Sequence, residues 1–454
     1  MILVIIDDLR ADHLGCYGYP KQTSPAIDAI ARDSCVFEKA FSQSGYTLPS
    51  TISILTSLYP SSHGMFYVFK DELSPGIKTI AEIFGTYGYK TAWFSQLKTP
   101  HLDINVGFGR GFQDKVELGA DFSGGPELFS WLEKNRSNNF FLAIDSRAVH
   151  DFYRSFPEHE GEVKKDFYFK LIRLAKSPGN AFFGPEVVSA HKELFRGNYN
   201  PDKLSKMLEL VDPEKRNSLD QFKCSLLIPW LQKKGRSDPE GWISVYDERI
   251  RAVDNELIKP LEVKLKTLGL CGKTVLIITA DHGEEFAEHG KYGHSSLWDT
   301  NIHVPLIIKI PGGPGGKRIE DLAETIDIMP TVLELAGIAV PSQARGVSLV
   351  NLMRGGSVGA PREYIFSELP KKKTIRSKKW KLTEGGTRRR LFDLSRDPGE
   401  QIDVLNRNRA IAAKMQTRLK QWEASLPDYQ DQEYPFDPGI GREMQERIRK
   451  TGYW

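Results

Sequence analysis

Two short, continuously apolar runs constrain what this chain can fold into more than any other feature. Residues 2–6 read ILVII and residues 274–279 read TVLIIT, so both are rich in β-branched side chains. Runs of this kind are typical of strands buried on both faces of a parallel sheet. Open α/β sheets bind ligands at the carboxyl ends of their strands, and both runs are followed there by side chains that can carry chemistry. These side chains are Asp7, Asp8, Asp281 and His282.

The rest of the chain alternates between strand and helix patterns. This alternation predicts an α/β fold with a doubly wound sheet that is flanked by helices. The further strand patterns cover residues 90–94, 140–144 and 304–310, and the helical patterns cover residues 24–32, 77–85, 250–267 and 329–336.

Length and composition predict two structural parts. With 454 residues, 40% hydrophobic and 27% charged, the chain has the balance of a globular protein and enough length for a large core and a smaller unit. We assign residues 1–360 to the catalytic domain, with residues 151–241 as an insertion over the active-site edge. For residues 361–454 we predict a small C-terminal α+β subdomain, which consists of an antiparallel sheet and a closing helix. Its basic runs, 371–373 and 388–390, are interpreted as solvated loops.

The composition also limits the classes of function. A formal net charge of +3 gives no whole-molecule case for nucleic-acid binding. The four cysteines lack metal-type spacing and predict free thiols. The first residues include only six consecutive apolar side chains before two aspartates, a pattern of neither a signal peptide nor a transmembrane helix. We therefore expect a cytoplasmic protein, and the oligomeric state stays open.

Thr47 stands shortly before an apolar helical stretch at residues 52–58. Its position, with Pro49 in the expected first turn, predicts an N-cap threonine. A hydroxyl at this position also faces free backbone N–H groups, which bind the anionic oxygens of a phosphate or sulfate ester. Thr47 is therefore either a simple cap or a nucleophile.

The side chains at the two strand ends favour the second interpretation. Carboxylate oxygens and an imidazole suit a divalent cation, which lowers the pKa of a coordinated hydroxyl and neutralises charge on an ester. Each acid taken alone also fits a helix cap or a surface charge. Taken together with the hydroxyl of Thr47, they indicate a metal-dependent hydrolase. The set does not distinguish among Mn, Mg, Ca and Zn.

The chain resembles the sulfatase-like family of the alkaline-phosphatase superfamily over most of its length. The resemblance rests on motifs in the family's order: IIDDLRADHLGCYGYPKQTSPAIDAIARDS, TLPSTISILTSLYPSSHG, FFLAIDSRAVHDFY, VLIITADHGEEFAEHGKYGHSSLWD and LFDLSRDPGEQIDVL. It implies an alkaline-phosphatase-like fold and one divalent metal ion as cofactor. The implied substrate is an ester of a small molecule, a glycan or a lipid headgroup.

The resemblance also assigns roles to individual residues. The metal ligands are Asp7, Asp8, Asp281 and His282. Thr47 stands where the family keeps its nucleophile, and His150 matches its substrate-binding or leaving-group histidine. His294 matches a position that is lysine in sulfatases and histidine in some phosphatase-like relatives; an ordinary surface histidine is the alternative for both histidines. A second ion held by this pair, with Asp145 as a further ligand, is the less favoured arrangement.

Three departures from the family pattern bear on the reaction. True sulfatases carry Cys or Ser at the position of Thr47, convert it to formylglycine, and keep an arginine at the position of Thr51. Threonine cannot be oxidised to that aldehyde. The family's Lys-x-His is also absent, and Gln96 and Lys98 stand in its region. We take Thr51 and Lys98 as candidate substrate-binding residues.

The predicted function is hydrolysis of a phosphate-type ester, with phosphodiesters favoured. Thr47 would form the covalent intermediate, and His150 or His294 would act as general acid. A threonine intermediate must be opened by water at the central atom, whereas a formylglycine hydrate expels sulfate without a second attack. The alternatives are a sulfatase that lacks formylglycine, a phosphoryl-group transferase, and a non-catalytic homologue that binds an anionic glycan or lipid headgroup.

Overall fold

A computed structural model describes residues 1–66, 73–96, 108–118, 125–150, 185–194, 238–356 and 362–427, with isolated further positions between 168 and 210. The strands are β1 (Ile2–Ile6), β2 (Cys35–Phe41), β3 (Lys90–Ser95), β4 (Asp114–Glu117), β5 (Phe140–Ser146), β6 (Leu276–Thr279), β7 (Glu285–Phe286), β8 (Tyr292–Gly293), β9 (His303–Val304), β10 (Leu306–Lys309), β11 (Lys317–Glu324), β12 (Ile365–Leu369), β13 (Lys372–Arg376), β14 (Trp380–Gly385) and β15 (Arg388–Asp393). The α-helices are α1 (Pro25–Arg32), α2 (Thr47–Thr56), α3 (Pro60–His63), α4 (Ile80–Thr86), α5 (Gly125–Asn135), α6 (Pro185–Ala190), α7 (Pro239–Val253), α8 (Lys259–Thr267), α9 (Asp299–Ile302), α10 (Ile328–Leu335), α11 (Val350–Arg354) and α12 (Arg409–Ser425).

A nine-stranded sheet forms the centre of the fold. Its order is β11-β2-β10-β6-β1-β5-β3-β4, and β9 pairs with β2. Strand β1 is parallel to both of its neighbours, β5 and β6, whereas β10 runs antiparallel between β6 and β2. The sheet is flanked by helices, which confirms the predicted α/β class.

Strand β1 lies near the middle of the sheet, and all five of its residues are buried. In the register, Ile5 pairs with Asp145 of β5 on one side and with Thr279 of β6 on the other. The carboxyl ends of three neighbouring parallel strands therefore lie at one edge. Residues that follow these strands come together there although they are far apart in the chain.

A four-stranded antiparallel sheet, in the order β12-β13-β14-β15, carries the C-terminal helix α12 on one face. Met415 and Leu419 of the helix form a buried cluster with Ile375, Leu382 and Leu391 of the strands. This arrangement agrees with the predicted sheet and closing helix. The interpretation of the two basic runs as loops is wrong, because most of their residues belong to strands β13 and β15.

The chain divides into two compact units. One comprises residues 1–150 and 246–436, and the other comprises residues 151–245 and 437–454. The predicted insertion, residues 151–241, falls in the second unit and lies for the most part outside the described residues, so the domain boundaries stay a prediction. None of the described helices combines the length and apolar character that a membrane crossing requires.

Candidate active site

The turn after β1 places two carboxylates at the edge of the sheet. Asp8 adopts a left-handed backbone conformation (φ 65°), which is uncommon for a residue other than glycine. The buried hydroxyl of Tyr246 holds this turn, since it donates to the Asp8 carbonyl (2.6 Å) and accepts from the Arg10 N–H (2.9 Å). As a result, Asp7 and Asp8 approach different nitrogens of the same imidazole, that of His282.

Helix α2 begins at Thr47, with Tyr46 as its N-cap residue and no side-chain cap hydrogen bond. The prediction of an N-cap threonine is wrong by one position, because the extended backbone ends at Tyr46 and Thr47 is already helical. The preceding loop is fixed by Gly45, whose carbonyl accepts from the Ser295 N–H (2.7 Å). A Cβ at Gly45 would lie 1.9 Å from the Ser296 carbonyl oxygen. Only glycine permits this approach between the Thr47 loop and the loop after β8.

Thr47, Asp7, Asp281 and His282 meet at the sheet edge. The Thr47 Oγ1 lies 3.2 Å from His282 Nε2 and 3.5 Å from Asp7 Oδ1. His282 Nε2 in turn lies 3.4 Å from Asp7 Oδ1 and 3.5 Å from Asp281 Oδ2. The ligand atoms of the two aspartates and the histidine lie within 4.8 Å of one another, and all three residues are buried. This spacing is compatible with one shared cation.

Asp8 faces a second group of side chains. Its Oδ1 lies 2.9 Å from His282 Nδ1 and 3.5 Å from His294 Nδ1. Its Oδ2 lies 3.9 Å from His150 Nε2, and Glu284 Oε2 lies 3.4 Å from His294 Nδ1. Ligand atoms of Asp8, His282 and His294 also lie within 4.8 Å of one another. The structure thus divides the four predicted ligands between two groups that share His282.

Several buried carboxylate oxygens in these groups accept no hydrogen bond from the described residues. Such oxygens are costly unless a positive charge or a donor compensates them. Oxygen ligands combined with an imidazole fit a divalent cation such as Mn, Mg, Ca or Zn. The side chains present therefore fit the expected metal. The oxygens concerned are Asp7 Oδ2, Asp8 Oδ2 and Asp281 Oδ2.

Burial and crowded charges change the protonation of this cluster. Burial, together with the charge of Asp7, raises the pKa of Asp281 well above its usual range and that of Asp145 to about 7. Burial lowers the pKa of His294 to about 4, so its imidazole is neutral near pH 7. Burial also opposes a charge on His282, but neighbouring carboxylates outweigh it and raise the pKa of this histidine. The cluster carries an excess of acidic groups that a cation offsets.

Arg147 is the candidate that the sequence prediction missed. Its Nε lies 3.2 Å from Asp7 Oδ2, and its Nη2 lies 3.3 Å from each ring nitrogen of His150. The side chain is 19% exposed, so its guanidinium borders the cluster and remains within reach of a ligand. The available signal was its place directly after β5, three residues before His150. A guanidinium in this position can bind an anionic ester group.

The two predicted substrate-binding residues contribute differently. Thr51 is buried in α2, one turn after Thr47, and its hydroxyl has no hydrogen-bond partner among the described residues. Lys98 lies outside the described residues. The substrate-binding roles of both stay predictions.

His150 and His294 lie close to each other, with ring centroids 5.3 Å apart. The carboxylates nearest to their rings belong to Asp8 and Glu284. Asp145, which we had placed with them, accepts a hydrogen bond from the Ser95 hydroxyl (2.7 Å). The catalytic roles of the two histidines stay predictions, as does a second ion.

Two family models match the chain. The model described as Sulfatase matches residues 1–338, and the model described as N-sulphoglucosamine sulphohydrolase, C-terminal, matches residues 287–425. The first match covers most of the chain and contains every residue of the cluster described above.

Individual relatives extend this similarity. An ulvan-active sulfatase of Formosa agariphila is 25% identical over 448 residues, which cover 90% of this chain and 77% of the relative. Iduronate 2-sulfatase of Homo sapiens is 25% identical over 456 residues, which cover 83% of this chain and 79% of the relative.

Solved structures share the fold. The phosphonate monoester hydrolase of Agrobacterium radiobacter has a TM-score of 0.69 at 20% identity, over 93% of this chain and 95% of that one. A 2-O GAG sulfatase has a TM-score of 0.69 at 19% identity, over 96% of this chain and 95% of that one.

Proposed function

The chain belongs to the sulfatase family, within the alkaline-phosphatase superfamily, and on this premise we propose that it hydrolyses a sulfuric ester of a glycan with Thr47 as nucleophile. The observation that carries the proposal is the position of the Thr47 hydroxyl. It lies at the start of α2 and within 3.5 Å of both His282 and Asp7. A hydroxyl in this place can be deprotonated beside a bound cation and can attack an ester held at the helix start.

The choice of sulfate over phosphodiester comes from the relatives. Those named above include sulfatases of ulvan and of iduronate. Our expectation of a phosphodiester preference rested on the breakdown of a threonine intermediate and on the match between the single charge of a diester and one metal ion. It finds no support in these similarities. We therefore adopt the alternative of a sulfatase that works without formylglycine.

The residues that would hold a divalent metal are Asp7, Asp281 and His282, with Asp8 on the far side of the imidazole. A bound cation supplies Lewis-acid stabilisation of the ester oxygens and lowers the pKa of a nearby hydroxyl. The chain supplies the remaining steps. Arg147 lies beside Asp7 and binds the anionic sulfuryl group, because its guanidinium offers parallel N–H donors. Helix α2 offers unpaired N–H groups in its first turn.

The reaction then proceeds by two displacements at sulfur. The Thr47 oxygen forms a bond to sulfur while the bond from sulfur to the glycan oxygen breaks, and the glycan leaves as an alcohol. His150 or His294 supplies its proton, since both imidazoles lie beside Asp8 at the border of the cluster. Water next attacks the sulfur, releases hydrogen sulfate and restores the Thr47 hydroxyl.

Phosphonate or phosphodiester hydrolysis is the second candidate. One observation favours it: the side chain at position 47 is a threonine, which cannot become formylglycine. The ester intermediate on Thr47 must be opened by water that attacks the central atom, and phosphorus tolerates that second attack readily. The same residues would act on either ester.

Trapping the covalent intermediate tests the proposal. Metal-loaded protein is mixed with 4-nitrophenyl sulfate, quenched in acid within milliseconds, digested and analysed by mass spectrometry. The account predicts one added SO₃ group on the peptide that contains Thr47. An adduct on another residue would remove Thr47 from the role of nucleophile.

A further inference from the structure

Strands β13 and β15 carry the two basic runs, and strand alternation divides their residues between two faces of the sheet. Lys373 and Arg389 point to the face of helix α12, where they bind Glu423 (2.7 Å) and Gln416 (2.7 Å). The opposite face receives three further cations of the runs, whereas Lys371 precedes β13. These are Lys372, Arg388 and Arg390, all exposed.

The three cations of the opposite face lie close together. In the register, Lys372 pairs with Gly385 of β14, and Gly385 pairs with Arg388. A Cβ at Gly385 would lie 2.9 Å from Lys372 Cγ, so the lysine stem passes over the glycine. Arg390 lies one row further along, with its guanidinium 5.7 Å from the ring centroid of Trp298. The glycine thus removes the side chain that would separate Lys372 from Arg388.

Lys291, which is exposed, adds a fourth cation from outside the sheet. It immediately precedes β8. Burial and the positive charges of Lys291 and Arg390 together lower the pKa of Lys372, against the opposing charge of Glu285. The interaction places Lys291 near the same face. We call Lys291, Lys372, Arg388 and Arg390 the basic patch.

The basic patch lacks the acidic partners that the helix face has. Among the described residues, no carboxylate forms a salt bridge with any of its four cations. Glu285, the acidic residue that acts on Lys372, is itself paired with His289 (3.0 Å). Clustered cations without counter-ions repel one another, which costs stability unless a ligand offsets it. The arrangement therefore favours an anionic ligand.

The patch is continuous with the active site along the chain. Only Tyr292 and Gly293 separate Lys291 from His294, so the two Cα atoms lie at most about 11 Å apart. Trp298, on the same loop, stacks on His289 (3.9 Å between centroids), and its ring contacts the Arg390 guanidinium. One extended ligand can therefore reach both the patch and His294.

We propose that the basic patch binds a sulfated polysaccharide chain whose reacting sulfate ester lies at Thr47. This inference rests on the proposed function for the identity of the ester, but binding by the patch is measurable without turnover. It makes the substrate a polymer segment with several anionic groups, rather than a single sulfated sugar. The cations of the patch bind anionic groups on sugars that neighbour the reacting sugar in the same polymer.

The test uses the triple variant Lys372→Gln/Arg388→Gln/Arg390→Gln in the full chain. Its matched control is Lys378→Gln/Lys379→Gln/Arg396→Gln, which removes three exposed cations elsewhere in the same subdomain. Both are made on a Thr47→Ala background, and binding to immobilised heparin and to a heparin oligosaccharide is measured over a range of salt. The patch variant is expected to bind about tenfold more weakly and with a smaller salt dependence. The control is expected to bind like its parent.

Equal binding by the patch variant and the control would overturn the proposal, as would tighter binding of single-stranded DNA than of heparin. Circular dichroism and the thermal midpoint check folding. If the triple variant does not fold, Lys372→Gln/Arg388→Gln, which leaves Arg390 on Trp298, repeats the test. With Thr47 restored, the patch variant is expected to lose more kcat/KM on a sulfated polysaccharide than on 4-nitrophenyl sulfate. Heparin binding by the patch without sulfate hydrolysis would contradict the proposed function and leave the patch assignment intact.

Discussion

Thr47 Oγ1 lies 3.2 Å from His282 Nε2, although 235 residues separate them in the chain. The contact exists because β2, which precedes α2, runs in the same direction as β6, with the antiparallel strand β10 between them. The start of α2 and the segment after β6 therefore meet at the same edge of the sheet. The candidate nucleophilic hydroxyl and the candidate metal-ligating imidazole are thus brought together by segments that follow different strands of one sheet.

Removal of the cation is expected to abolish activity and lower the thermal midpoint together. Asp7, Asp8 and Asp281 carry buried oxygens without hydrogen bonds, and without a cation their charges repel one another. Chelation and Asp281→Asn are each compared with untreated protein by calorimetry and turnover. Asp33→Asn, on an exposed side chain, serves as the control. Full activity in metal-free protein would contradict the metal assignment.

Arg147→Ala is expected to lower kcat/KM for a sulfate ester by about 10- to 100-fold, since one charge-assisted contact to the anionic group is lost. Arg147→Lys keeps the charge but not the planar donor pair, so its kcat/KM should fall between those of the wild type and Arg147→Ala. Arg136→Ala is the control, because Arg136 is exposed and lies in the turn between α5 and β5. The Kd of inorganic sulfate gives an independent measurement. An unchanged Kd would show that Arg147 does not bind the sulfuryl group.

Lys381→Met is expected to destabilise the fold by about 3–5 kcal/mol, because it leaves the buried carboxylate of Glu400 without a cation, while Asp299 keeps its ion pair with Arg376. Lys381 is fully buried, and its ammonium lies 2.7 Å from Asp299 and 2.6 Å from Glu400. Urea unfolding measures the change, and Lys379→Met, an exposed position two residues earlier, provides the comparison. Similar free energies of unfolding for the two variants would show that this ion cluster contributes little.

His63 is expected to make the protein sensitive to acid. It is buried, its Nε2 lies 3.0 Å from Ser53 Oγ, and its Nδ1 accepts from the Met65 N–H (3.1 Å). Burial lowers its pKa from 6.5 to about 3. The unfolded chain therefore binds more protons between these pH values, and the free energy of unfolding falls as the pH decreases through this window. The slope from this group is at most about 1.4 kcal/mol per pH unit.

The substitution His63→Gln should remove that contribution. Urea unfolding of the wild type and the variant at pH 7 and pH 5 measures the difference. The wild type is expected to lose more free energy of unfolding than the variant over this step. A parallel loss in both proteins would assign the acid sensitivity to other groups.

Much of the fold and part of the site could be predicted from local patterns. The uninterrupted β-branched run before Asp7 predicts a buried strand, and the position of its carboxyl end follows from sheet geometry. Helix start positions are harder to predict, because moving the first helical residue by one position changes the energy of the fold only slightly. The shift from Thr47 to Tyr46 as the N-cap residue is of this kind.

The features that were missed depend on tertiary register. Arg147 reaches Asp7 only because β5 pairs with β1 in a register that no local pattern specifies. The basic runs look like loops in the sequence, since consecutive cations mask the alternation that places Ile375 and Leu391 in the core. Asp8 separates from Asp7 because its backbone is left-handed, which sequence motifs do not reveal.

The most direct test of the account is kcat/KM for 4-nitrophenyl sulfate, measured with metal-loaded wild type and with Thr47→Ala. The hydroxyl does not cap α2, so the variant is expected to fold with a thermal midpoint close to that of the wild type. The account predicts turnover of the sulfate ester by the wild type and a loss of about 1,000-fold or more in the variant. Wild-type activity in the variant would contradict the central claim, and so would turnover of bis(4-nitrophenyl) phosphate without turnover of the sulfate ester.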